Sequence, residues 1–215
     1  MSGDDQLIAK AQGFLAELAQ NNTKAWWQEN KATYDNCLKQ PALALLDSLT
    51  PALHDLTGLP VSTKLFRPHR DVRFSKDKTP YHTHLHMLWQ PKADAPQSPV
   101  FFFGISPSYV TAGAGLMGLD KPVLQNWRQM LDLDTDRMMG MTQTLETAGY
   151  RFREPELKRV PPPFASDHRA ARFLRMKAVV ASGDVSTSGA LQQELQRHFR
   201  ALWPLNDMLM SIAAA

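Results

Sequence analysis

The sequence predicts an α+β fold: an antiparallel or mixed central sheet with an N-terminal helical layer and C-terminal helices. Three observations predict it. Apolar residues recur at helical spacing through the first 58 positions, and the period switches to strand-like alternation near residue 60. Short apolar runs separated by polar turns then follow in close succession, which favours antiparallel pairing. The 15 prolines argue against an all-helical bundle.

Leu7, Ile8, Ala11, Phe14, Leu15 and Leu18 share one helical face, so residues 4–19 read as an amphipathic helix. Asn21, Asn22 and Thr23 stop it, and Asn22 or Thr23 can cap a second helix carrying Trp26, Trp27, Tyr34 and Leu38. Pro41 suits the first turn of a third helix. Pro51 is expected to kink or restart that helix, and Gly58 followed by Pro60 to end it. Val61 to Phe66 and Tyr81 to Trp89 read as strands, with 90–99 as a proline-rich turn. Val100 to Ile105 fits a buried strand, and 108–111 is expected to continue the sheet. The glycine-rich TAGAGLMG at 111–118 reads as a flexible or close-packed turn; it lacks the GK[ST] of a phosphate-binding loop and the GxGxxG of a dinucleotide site. Helices are expected at 120–133 and 135–148, a strand at 150–153 and a rigid connector at Pro161 to Pro163. MKAVVA, 176–181, reads as the last strand. Ser186 or Ser188 is expected to cap a final helix carrying Leu191, Leu195, Phe199 and Leu202, with Pro204 breaking it.

At 215 residues and 43% hydrophobic, the chain can bury a sizeable core. The expectation is a single domain over 1–215: helical in 1–58, strands with a basic loop in 61–112, mixed helices and strands in 120–215. No apolar run approaches the roughly 20 residues of a membrane span, so no membrane partner is expected. The N-terminus opens with acids and carries no secretory pattern. The one cysteine, Cys37, excludes an internal disulfide framework and a multi-cysteine zinc site. A cytoplasmic location is expected.

The net charge of +3 conceals an asymmetry. Residues 1–63 carry 4 basic and 7 acidic side chains; residues 64–84 carry 6 basic and 2 acidic; residues 151–177 carry 8 basic and 3 acidic. Clustered cations imply an anionic partner, or a solvated surface with internal ion pairs. The first cluster holds the most informative stretch, RPHRDVRFSKDKTPY at 67–81. Arg67, Arg70 and Arg73 recur every third residue, Asp71 and Asp77 sit among them, and Pro68 and Pro80 make a long helix unfavourable. This is the composition of a loop between strands. Guanidinium forks bind carboxylate or phosphate at two points, and Lys78 adds a point charge. Aspartates among cations have lowered pKa values, which suits orienting a ligand better than donating a proton. The expectation is that Arg67, Arg70, Arg73 and Lys78 converge on one concave anion site while Asp71 and Asp77 hold the guanidinium groups.

This stretch resembles the hallmark of an uncharacterised, mostly bacterial family, the domain of unknown function 2461 family. Its pattern, Arg-x-x-Arg-Asp-x-Arg-Phe followed by Asp-Lys-x-x-Tyr, falls here on Arg67, Arg70, Asp71, Arg73, Phe74, Asp77, Lys78 and Tyr81. NNTKAWWQENKATYD, GISPSYVTAGAG and FLRMK also look familial, so the resemblance spans nearly the whole chain. It implies a single α+β domain and no established activity. One departure is His82, where the resemblance leads to an expectation of lysine.

His82, His84 and His86 alternate, so on a strand their imidazoles share one side, roughly 6–7 Å apart per step. Two could share zinc or iron, with His69 or Asp71 needed as a third ligand. No definite third ligand is present in sequence, and no metal centre is expected. No GxSxG elbow or HExxH motif is present, and nothing names a cofactor or an oligomeric state. The favoured function is binding of, or action on, a small phosphate- or carboxylate-bearing ligand at this loop. Arg67, Arg70, Arg73, Lys78 and His84 would bind it, and Asp71, Asp77 and Tyr81 would supply orientation or proton transfer. Two alternatives stand beside it. One is a nucleic-acid-binding module, from the pI near 9 and the two basic segments. The other is a non-catalytic interaction protein whose motif is a structural ion-pair network.

Overall fold

The computed structural model describes residues 3–215, with side chains from residue 6 onward. Three helices come first: α1 (Gly3–Gln20), α2 (Lys24–Tyr34) and α3 (Gln40–Thr57). Thr23 caps α2, its hydroxyl accepting from the Trp26 amide at 3.2 Å. A π-helical turn at Asp35–Lys39 joins α2 to α3, so the second and third predicted helices run on without a loop. Pro51 lies inside α3 and does not end it. Gly58, at φ +69°, does: it takes the left-handed cap conformation that a β-carbon disfavours.

The sheet has six strands: β1 (Val61–Leu65), β2 (Leu85–Pro91), β3 (Val100–Ile105), β4 (Val110–Leu116), β5 (Arg151–Phe152) and β6 (Val179–Asp184). Their order is β1-β2-β3-β4-β6-β5, and every neighbouring pair is antiparallel. Helices α4 (Lys121–Leu133) and α5 (Thr135–Thr147) follow β4, the short α6 (Ala171–Leu174) precedes β6, and α7 (Leu191–Ala214) closes the chain. The fold is thus α+β, with helices at both ends of the sequence around an antiparallel sheet.

Strand alternation decides which face meets the helices. Leu85, Met87, Trp89, Phe101, Phe103 and Ile105 point to one side and are buried beneath α1, α3 and α7. The Trp89 indole donates to the Leu46 carbonyl of α3 at 3.1 Å, and the Asn206 amide of α7 donates to the Val100 carbonyl at 3.2 Å. Opposite residues of the same strands, His86, Leu88, Val100 and Phe102, are only half-buried.

Five expectations about elements are corrected. β2 begins at Leu85, so Tyr81 to His84 lie outside the ladder. Residues 111–116 are not a turn but the body of β4, where small residues let β6 approach: a β-carbon on Gly115 would lie 2.0 Å from the Val179 carbonyl oxygen. The last strand is displaced to 179–184 because 171–174 are helical. Neither Ser186 nor Ser188 caps α7, which starts at Leu191 after Ala190. Pro204 does not break α7 either, because Leu202, Leu205, Leu209 and Ile212 are buried on both sides of it, and that burial outweighs the roughly 3 kcal/mol cost of an internal proline.

Candidate functional site

The basic segment is the connection between β1 and β2. It folds back on itself. The Arg70 amide donates to the Pro80 carbonyl at 2.9 Å, the His82 amide to the Pro68 carbonyl at 2.7 Å, and His69 bridges Tyr81. Residues 68–70 and 80–82 therefore form a neck, and 71–79 the tip. The neck is tied to the helical layer by Asn22. Its side-chain amide donates to the Tyr81 carbonyl at 2.9 Å and its oxygen accepts from the Tyr81 amide at 3.1 Å, so Asn22 acts as a substitute strand partner. The Tyr81 ring is buried and stacks on Trp27, with centroids 4.3 Å apart, while His69 meets both rings edge-on. Burial raises the Tyr81 phenol above its ordinary pKa. This is an anchoring position, set by aromatic packing between α2 and the neck.

At the tip, each aspartate holds one arginine. Asp77 accepts from the Arg70 guanidinium at 2.6 Å and from the Thr79 amide at 2.9 Å. The Thr79 amide bond, then the Arg70 bond, lower its carboxyl to about 2. Asp71 takes both forks of Arg73, Nε at 2.9 Å and Nη2 at 2.6 Å, and is lowered chiefly by that pair. Lys78 donates to the Val72 carbonyl at 3.0 Å. Both carboxylates are thus ionised and committed to cations. Neither is placed as a proton donor.

Arg67 differs. Among the described residues it has no hydrogen bond and no ion pair. It lies close enough to His82 for its charge, with that of Arg70, to disfavour protonation of that ring after the effect of burial. His82 begins a row of imidazoles. His82 and His84 are 4.7 Å apart and tilted; His84 and His86 are 3.8 Å apart and stacked. The spacing is tighter than a strand step because 82–84 leave the ladder before Leu85. The innermost ring, His86, bonds the Tyr109 hydroxyl at 2.8 Å. It sits over Gly104, its ladder partner, where a β-carbon would lie 3.0 Å from the ring. Burial, then the neighbouring imidazoles, push His86 down to about 4. Burial also lowers His84. Protonation of the row is therefore disfavoured near pH 7. Among the described residues, no three His, Cys, Asp or Glu side chains are grouped to hold a metal ion.

The structure thus brings Arg67 and Arg70 near His82, whose ring meets that of His84. Arg73 and Lys78 belong to the tip, each with its own acceptor. Sequence reasoning overlooked Asn22 as an anchor and Tyr109 as the partner of His86. The double asparagine before a helix cap signalled a chain reversal, not a contact 59 residues away.

A family model described as a conserved hypothetical protein, DUF2461, matches residues 10–208. The chain belongs to the DUF2461 family. No curated protein matches it. No helix among the described residues of this DUF2461 protein is long and apolar enough to cross a membrane.

Proposed function

We propose that the protein binds a small phosphate- or carboxylate-bearing ligand where Arg67 and Arg70 meet His82 and His84. The observation that supports this reading is the unpartnered Arg67 guanidinium. Two of the three spaced arginines are hydrogen-bonded to carboxylates; the third has only the longer-range charge of Asp71 and stands near His82. A guanidinium without a hydrogen-bond partner can give an anion a two-point contact. Arg67 supplies the fork, Arg70 a second charge already aimed by Asp77, and His82 and His84 ring nitrogens. Asp71, Arg73 and Lys78 keep the shape of the tip, and Tyr81 fixes the neck. The ion pairs of Arg70 and Arg73 also favour a structural role for those two residues.

The test is a thermal-shift screen with phosphate, sugar phosphates, nucleotides, dicarboxylates and a short oligonucleotide, at matched ionic strength to exclude general screening. A bound anion at a hundredfold over its dissociation constant should raise Tm by about 5–10 °C in a chain of this size. Arg67→Ala should remove the shift while changing the unliganded Tm little, since it breaks no hydrogen bond and only the longer-range attraction to Asp71 is lost. Arg70→Lys should weaken it, because lysine has no planar fork. A wild type stabilised by no anion beyond chloride would overturn the reading. Stabilisation by the oligonucleotide alone would overturn it in favour of a nucleic-acid module.

A further inference from the structure

The sheet face away from the helices holds a groove of about 800 Å³. That is the size of a small-molecule site. Its lining is apolar where a solvated antiparallel face is ordinarily polar: Phe66, Leu88, Val100, Phe102, Met117 and Val180. Glycines keep the floor low. A β-carbon on Gly104 or Gly113 would lie 3.0 Å from the Phe102 ring, so that ring can rest against the backbone. The lining draws on β2, β3, β4, β6 and β5 in turn. Four strand spacings make a trough about 19 Å long.

We infer that this groove seats the straight hydrocarbon chain of an amphiphile whose anionic head lies at Arg67, the ligand class being an alkyl phosphate or fatty carboxylate. The inference rests on the anion reading for the head and adds the tail. Length and lining favour an extended chain over a compact ring. Charge complementarity sets its direction. No carboxylate lines the groove. Arg151 and Arg153 stand at its β5 end, but Arg151 is paired with Asp184 at 2.8 Å and Arg153 faces Glu156 at 3.9 Å. At the β2 end stand Lys64, its ammonium 4.7 Å over the Phe66 ring, and Arg67, which makes no ion pair among the described residues although Asp71 lies near enough to feel its charge. Phe66 lines the groove and precedes Arg67 in the chain. His86 also lines it, and its stacked row leads through His84 to His82 beside Arg67 and Arg70. The stacked row thus runs from the groove toward the head site. The occupant is a free amphiphile, because the apolar lining is spread along a trough across five strands; on the loop tip Phe74 alone is an exposed large apolar side chain.

Titration calorimetry with inorganic phosphate, then butyl, hexyl, octyl and decyl phosphates and the matching carboxylates below micelle formation, tests this directly. Affinity should rise about three- to fourfold per methylene until the trough is filled. Leu88→Asp and Phe66→Ala, both at half-exposed or exposed positions, should flatten that dependence while leaving inorganic phosphate binding intact. Arg67→Ala should weaken every ligand by a similar factor. Octyl phosphate binding no tighter than inorganic phosphate would overturn the groove inference and leave the anion reading standing. A chain-length dependence unaltered by Arg67→Ala, with decanol binding as well as decyl phosphate, would overturn the anionic head and with it the amphiphile. Binding to phosphatidylglycerol vesicles but to no monomeric ligand would overturn the inference in favour of a membrane surface.

Discussion

Single atoms decide much of the site. Gly104 lies opposite His86 in the β2–β3 ladder, and the imidazole occupies the space a side chain would need. Gly104→Ala would push a β-carbon against both His86 and Phe102, rings with little freedom to move. We expect a loss of about 1–2 kcal/mol in urea unfolding, together with a weakened His86–Tyr109 bond. Asn22 is as consequential. Its amide makes two backbone hydrogen bonds to Tyr81, and Asn22→Ala would leave the N–H and the C=O of that residue without this partner. A cost of about 2 kcal/mol is expected. Hydrogen exchange should rise selectively across 68–82. A variant whose exchange rises uniformly along the chain would show that Asn22 supports the helical layer rather than the neck.

At the scale of elements, the loop from 66 to 84 is long but not loose. Phe66 extends the ladder to His86, the neck pairs with itself, and the tip is closed by two ion pairs. Arg70, Arg73 and Lys78 are thereby each held to an acceptor within the loop. Helix α7 illustrates the opposite balance, local cost against tertiary gain. Pro204 lacks the amide that would reach the Arg200 carbonyl, yet both halves of the helix are held by buried residues. Pro204→Ala restores the donor and loses proline's restriction of the unfolded chain. The first effect is about 3 kcal/mol and the second about 1, so the variant should be more stable by about 2 kcal/mol. A chemical-denaturation midpoint shifted downward would mean that the packing of α7 depends on the proline's geometry.

For the whole molecule, the half-buried imidazoles of the row and the buried His198 shape the acid limb of stability. His82, His84, His86 and His198 are all lowered in the folded protein, foremost by burial. A histidine with a lowered folded pKa binds its proton more readily when unfolded, so acid favours unfolding. The stability is complete above about pH 6.5 and declines as pH falls toward about 4, where His86 protonates in the folded state. His86 alone should account for on the order of 2 kcal/mol of that decline, after discounting for the exposed part of its ring. His86→Gln, which keeps a partner for Tyr109 and cannot titrate, should flatten the slope between pH 4 and 6.5. Asp77 acts in a separate window. Its folded pKa of about 2 lies below the ordinary 3.8, so its contribution is present above 3.8 and is lost as pH falls through 2. Asp77→Asn should therefore change the pH dependence below about 4 and leave the histidine window alone. Urea midpoints measured from pH 2 to pH 8 separate the two.

The sequence by itself determined the elements whose burial is periodic. Leu7 to Leu18, the aliphatic face of α3 and the alternation of β2 repeat at the period of their own backbone, because one side of each must face the core. It also determined the family and the chemical character of the loop, since a run of arginines with interspersed aspartates is written in adjacent letters. Only the tertiary structure decided which cation lacks a partner. Arg70 and Asp77 are seven residues apart and meet because the neck at His69 and Tyr81 reverses the chain, and no local period encodes that reversal. The glycines of β4 read as a turn, because what they accommodate is the backbone of β6, more than 60 residues away. The imidazole row stacks more closely than strand spacing allows because Gly104 gives His86 its room and because 82–84 leave the ladder. Pairing partners and empty space are properties of segments distant in the chain, and only folding brings them to one place.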